Sequence, residues 1–102
     1  MTTYNLHGAK LKALRKRAKA SQAAVADATT TEIRRRVESG QALGPMLGRR
    51  KGRSNDTPVI SSAYLSAWER GGGINGPYLE VLCAALGNLL GRTVEQTEIA
   101  KA

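Results

Sequence analysis

His7 and Cys83 are the only imidazole and the only thiol in this 102-residue sequence, and neither stands near the partners that nucleophilic or metal chemistry requires. No cluster has the spacing of metal ligands, and no nucleophile is paired with a base. The run Gly71-Gly72-Gly73 lacks the Lys and following Ser or Thr of a phosphate-binding loop. The sequence therefore predicts no catalytic residue, no metal site, no cofactor and no enzyme. Cys83 lies in an apolar run, so a buried thiol is expected there. With no second cysteine there is no intrachain disulfide, which fits a reducing cytosol.

The chemistry present in quantity is cationic. Sixteen Lys and Arg face eight Asp and Glu, for a net charge of +8. Residues 1–28 carry +5, residues 29–59 carry +4 and residues 60–102 carry −1. Such asymmetry points to a polyanion, either nucleic acid or an anionic membrane surface; the plainer reading is a solvated basic face. The membrane reading is weak. The basic segment 7–20 has no Trp or Phe on its apolar face, and no window of about 18 apolar residues exists. No signal-peptide pattern opens the chain. Arg49, Arg50, Lys51 and Arg53 form a compact basic run among Gly, Pro, Ser and Asn. They have the chemistry of an arm for phosphates or a narrow minor groove; the alternative is a solvated loop. Arg34, Arg35 and Arg36 are consecutive, diverge on a helix, and count as general electrostatics.

Few elements are needed to position these groups. Leu11, Leu14 and Ala18 recur at helical spacing, predicting a first helix over 7–20. Ser21 is placed to cap a second helix over 22–28, whose small side chains allow close approach. Thr29, Thr30, Thr31 and Glu32 fit two readings: the start of a new short helix through Ser39, or continuation of the second helix as one rod. From Gly40 to Pro58 turn and linker residues dominate, and a long excursion in a small domain is often functional or disordered. Val59 and Ile60 leave room for a small hairpin. A third helix over 61–70 has Leu65 and Trp68 as apolar positions, with Ser61 or Ser62 as cap, and the glycine run ends it. Pro77 suits the first turn of a fourth helix with a Leu79, Leu82, Leu86 stripe, closed by Gly87 or Gly91. Thr93 with Gln96 suggests a capping box for a short fifth helix, 94–100. No strand pattern stands out. The expected fold is all-α, a single domain over 1–102.

Three stretches, in order, carry a resemblance. They are Ser21-Gln22-Ala23-Ala24-Val25-Ala26, then Ile60 to Gly71 with its Leu65-Ser66-Ala67-Trp68-Glu69-Arg70-Gly71 core, then Pro77 to Leu82 with Ala85-Leu86-Gly87. Together they resemble the Cro/cI-type helix-turn-helix family of phage repressors and bacterial regulators, often called the XRE family. The resemblance covers residues 8–28 and 60–98. It implies a lambda-repressor-like domain of about five helices that binds double-stranded DNA and regulates transcription. It also shows a departure: the family joins helix two to the recognition helix by a few residues, whereas here residues 29–59 intervene. That insertion is expected to be partly helical, a hairpin or disordered.

The resemblance places candidate base contacts at Ser62, Ala63, Ser66 and Ala67, with Tyr64 beside them. It places Gln22 as a phosphate clamp, with Lys19, Ser61, Arg70 and Asn75 as further backbone candidates. Glu69 is expected to pair with a basic residue of its own chain, since a carboxylate facing phosphate is repelled. Ser and Ala supply no bidentate contact to a base, so this helix alone should discriminate weakly, and the basic insert is expected to supply the remainder. Further expectations are a repressor of phage or bacterial type, located in the cytoplasm on DNA, with a homodimer through residues 89–102. That segment is short and only partly apolar, which leaves a weak dimer or monomer open. Two alternative functions are the antitoxin of a toxin–antitoxin pair and a protein-interaction adaptor derived from the same core.

Overall fold

A computed structural model of the chain describes residues 3–41, 43 and 59–101. The expected hairpin before Val59 and the basic run Arg49, Arg50, Lys51 and Arg53 lie outside the described residues. The order of elements is β1 (Thr3–Asn5), α1 (Gly8–Arg17), α2 (Gln22–Glu38), α3 (Ser62–Glu69), β2 (Gly73–Asn75) and α4 (Gly76–Leu90), followed by a 3-10 turn at Gln96–Glu98.

The fold is mostly helical, and the all-α expectation needs one correction. β1 pairs antiparallel with β2 in the register Thr3↔Asn75, Tyr4↔Ile74 and Asn5↔Gly73. On the other edge of the N-terminal segment, Leu6 bridges to Ala100, Lys101 N–H donates to Asn5 O, and His7 N–H donates to Ile99 O. Residues 3–7 are thus gripped between the α3–α4 connection and the C-terminal tail. Three residues per strand are too few for an alternating pattern to register in sequence.

α1 presents Leu11 and Leu14 to the core, as their spacing requires. α2 begins at Ser21, whose hydroxyl accepts from Ala24 N–H at 3.0 Å. It then runs as one rod of 17 residues. The threonines do not start a new helix. Thr29, Thr30 and Thr31 each donate a hydroxyl back to the carbonyl four residues earlier: Val25, Ala26 and Asp27 respectively. This rod makes residues 29–38 of the insertion helical. α4 starts with Pro77 in its first turn and stops at Gly91, whose φ of +71° is the left-handed conformation that a glycine adopts without strain. The expected fifth helix is only the single 3-10 turn. Its capping box is Glu95 with Glu98, not Thr93 with Gln96, because the turn starts only at Gln96 and so makes Glu95 the N-cap.

One hydrophobic cluster joins these elements. Leu6, Leu11, Val25, Ile33, Leu65, Ile74, Tyr78, Leu79, Leu82, Leu86 and Ile99 are almost fully buried in it. Burying each such side chain contributes about 1.5–3 kcal/mol. Leu43, beyond the end of α2, also belongs to it.

Candidate nucleic-acid interface

α3 is tied to the rest of the chain at both ends. At its C-terminal end Glu69 carries the expected intrachain pair. Arg15 of α1 holds its carboxylate with two hydrogen bonds, Nε to Oε2 at 2.6 Å and an Nη2 contact to Oε1 at 3.2 Å. Gln22, the first residue of α2, donates to the same carboxylate at 3.2 Å. Arg15 also donates to Ala20 O at 3.1 Å, which fixes the α1–α2 corner. The Arg15 and Glu69 side chains are 13% and 7% exposed, so water screens the pair little. Burial pushes the Glu69 carboxyl up, but the hydrogen bonds from Arg15 and Gln22 and the charges of Arg15 and Lys12 outweigh it and hold it below its ordinary value. Gly8 permits this packing, because a Cβ there would sit 2.0 Å from the Glu69 carbonyl oxygen.

At its N-terminal end the chain enters α3 through Ile60, which the Thr30 hydroxyl holds. Ile60 N–H donates to Thr30 Oγ1 at 2.9 Å, and the same hydroxyl lies 3.3 Å from Ile60 O. Sequence alone does not single out Thr30. Nothing local marks it, since its partner is thirty positions away. Residues 22–30 and α3 therefore form one unit, although residues 31–59 separate them along the chain.

The face of α3 is chemically sparse. Ser62 and Ala63 are exposed, while Tyr64, Ser66 and Ala67 are half-buried. Tyr64 leans on Trp68, with ring centroids 5.9 Å apart, and packs against the core, as do the buried Leu65 and Trp68. Its ring is thus partly committed to packing. Ser61 is the N-cap residue by position, yet its side chain makes no capping bond. Arg70 is exposed and donates to Ser66 Oγ at 3.2 Å, so a backbone candidate and a base candidate bind each other. Lys19 is exposed, where the chain leaves α1 in a left-handed conformation at φ +56°. Gln22 is half-buried with its amide on Glu69, so it supports the corner. Asn75 is 7% exposed at the start of α4 and is therefore set into the fold rather than displayed.

The tail expected to support a dimer is used within the chain. Val94, Ile99 and Ala100 are buried, and of its large apolar side chains Leu89 alone, among the described residues, is exposed. Elsewhere a groove of about 810 Å³ separates the second half of α2 from the end of α4. Glu32, Arg35, Arg36, Glu80, Cys83 and Arg92 are among the residues lining it. Cys83 is buried as expected, and burial with the nearby charges of Glu98, Glu95 and Glu80 pushes its thiol up to about 12. A thiol that stays protonated is a packing group and a poor nucleophile. Among the described residues no group of three or more His, Cys, Asp or Glu is placed to hold a metal ion. No described helix is long and apolar enough to cross a membrane.

Compared with known proteins, the chain matches no family model, no curated protein and no solved structure.

Proposed function

We propose that this chain is a double-stranded-DNA-binding transcriptional regulator that seats α3 in the major groove and uses flanking groups to hold the phosphates. The observation that carries this reading is the double anchoring of α3. Glu69 binds Arg15 and Gln22 at one end, and Thr30 binds Ile60 at the other. A short helix fixed at both ends, with Ser62, Ala63, Ser66 and Ala67 outward, is a rigid element of the kind that enters a groove. The ordered sequence resemblance to Cro/cI-type regulators and the net charge of +8 support the same reading. Occupancy of an operator, with phosphate contacts setting register and groove contacts choosing the site, is the mechanism.

Selection of bound sequences from random duplexes at near-physiological salt is expected to enrich a motif. Failure to enrich one would sink the sequence-specific reading. One specific observation favours a second reading. The outward face of α3 has no bidentate partner for a base, and Arg70 is turned onto Ser66. A protein-interaction adaptor built on the same core, or an antitoxin that binds both DNA and a protein, needs no richer surface. Changing Ser62 and Ser66 together to Ala separates the DNA binders from the adaptor: a regulator or antitoxin alters its site preference, an adaptor has none to alter.

A further inference from the structure

Phosphate contacts need unpaired cations near α3, and α3 itself has none before Arg70. Arg15, the α1 cation aimed at it, is neutralised by Glu69. The remaining charges of α1 divide between two flanks. Lys12 lies three residues before Arg15, and its charge reaches the Glu69 carboxylate. Lys16 follows Lys12 by four residues, so both sit on one face, about 6 Å apart along the axis. Both are exposed and make no ion pair among the described residues. Lys10 and Arg17 lie across the helix. They line a cleft of about 310 Å³ with Ala13, Leu14, Arg92 and Glu98. There Glu98 already binds Arg92 at 2.9 Å and also feels the charge of Arg17.

We propose that the Lys12–Lys16 flank of α1 is a phosphate-backbone contact surface for duplex DNA, and that the Lys10–Arg17 flank is not. This rests on the DNA-binding reading above. Lys12 and Lys16 lie on the side of α1 that faces Glu69, the carboxylate that Gln22 at the start of α2 also binds. Lysine suits this role, because a compact, hydrated charge on a flexible stem follows a phosphate without fixing base identity. The surface therefore adds affinity without specificity, which complements an α3 face of Ser and Ala.

The test compares two double variants of the full chain that each remove two positive charges. One is Lys12→Gln with Lys16→Gln, the other Lys10→Gln with Arg17→Gln. Lys19 is left intact, because its left-handed backbone would confound the result. Binding to a random-sequence duplex is followed across salt concentrations, with the single Trp68 on α3 and far-UV circular dichroism reporting folding. The first double variant is expected to flatten the slope of log K against log salt by about 1.8, since each phosphate contact contributes about 0.9. The second is expected to leave it unchanged. Equal flattening by both variants overturns the proposal while leaving DNA binding intact. Absence of wild-type binding at low salt overturns the DNA-binding reading, and this inference with it.

Discussion

Two buried carboxylates take up arginine charge in this molecule, and they do so in opposite ways. Glu69 joins three helices: its partners, Arg15 and Gln22, lie 54 and 47 positions away. Among the described residues Glu32 pairs only within its own rod, with Arg35 and Arg36 one turn further along α2. Arg15 is 13% exposed, whereas the partners of Glu32 are 68% exposed at Arg35 and 20% at Arg36. An ion pair between distant elements in a dry place fixes their geometry. One within a helix, with a partner reaching into water, removes local charge and adds little else. The arginine triplet 34–36 therefore delivers less positive field than its count suggests.

Breaking the close approach behind Glu69 should have the largest effect. Gly8→Ala drives a Cβ into the Glu69 backbone, and either α1 or α3 must move. The expected cost is about 3 kcal/mol, at the upper end for overpacking. Chemical denaturation measures it; an unchanged midpoint would mean that α1 and α3 are not in this contact.

Next comes the ion pair itself. Glu69→Ala strands the Arg15 guanidinium in a site with little water, at an expected cost of about 2–3 kcal/mol. That corresponds to roughly 10–20 °C in Tm for a chain of this size. Glu32→Ala leaves the exposed Arg35 free to solvate but unpairs Arg36, which is 20% exposed, and about 1–2 kcal/mol is expected. Equal losses would erase the distinction between the two carboxylates. Their pH dependence follows from the same geometry. Glu69 has a folded value below 4.5, so its stabilisation is present above 4.5 and is lost as pH falls through the folded value. Glu69→Gln should flatten the acid side of the stability profile in that window.

The pairing of Glu69 was legible in sequence because a carboxylate at a helix end, in a chain with sixteen Lys and Arg against eight Asp and Glu, finds a cation of its own chain. Arg15 as its partner had a weaker signal, lying four residues after Leu11 and seven after Gly8 on the core-facing side of α1. The cap at Ser21, the burial of Leu65 and Trp68, and a stop at one of two glycines, Gly87 or Gly91, were legible for local reasons, since each depends on near neighbours. What escaped depends on partners far along the chain. β1 finds β2 some seventy positions away. The tail closes on Leu6 and His7, which buries Val94, Ile99 and Ala100 within the chain. The single rod of α2 was one of two open readings, because threonine hydroxyls cap and interrupt helices as readily as they bond backward.

Those threonines give the smallest and sharpest test. Three consecutive hydroxyls make the same backward bond within α2, yet only Thr30 also takes the Ile60 backbone. Thr30→Val keeps the shape of the side chain and leaves the buried Ile60 N–H without its acceptor, at an expected cost of about 1–2 kcal/mol. Thr31→Val, at an exposed site with no such partner, is expected to change stability by less than about 0.5 kcal/mol. The difference between the two isolates the clasp from helix propensity, which is the same for both. If the clasp closes the corner, Thr30→Val should also speed hydrogen exchange of the Ile60 amide while leaving the Val25 and Ala26 amides protected. Equal effects at positions 30 and 31 would mean that the Ile60 clasp adds nothing to the hold that Leu65, Trp68 and Glu69 already give α3.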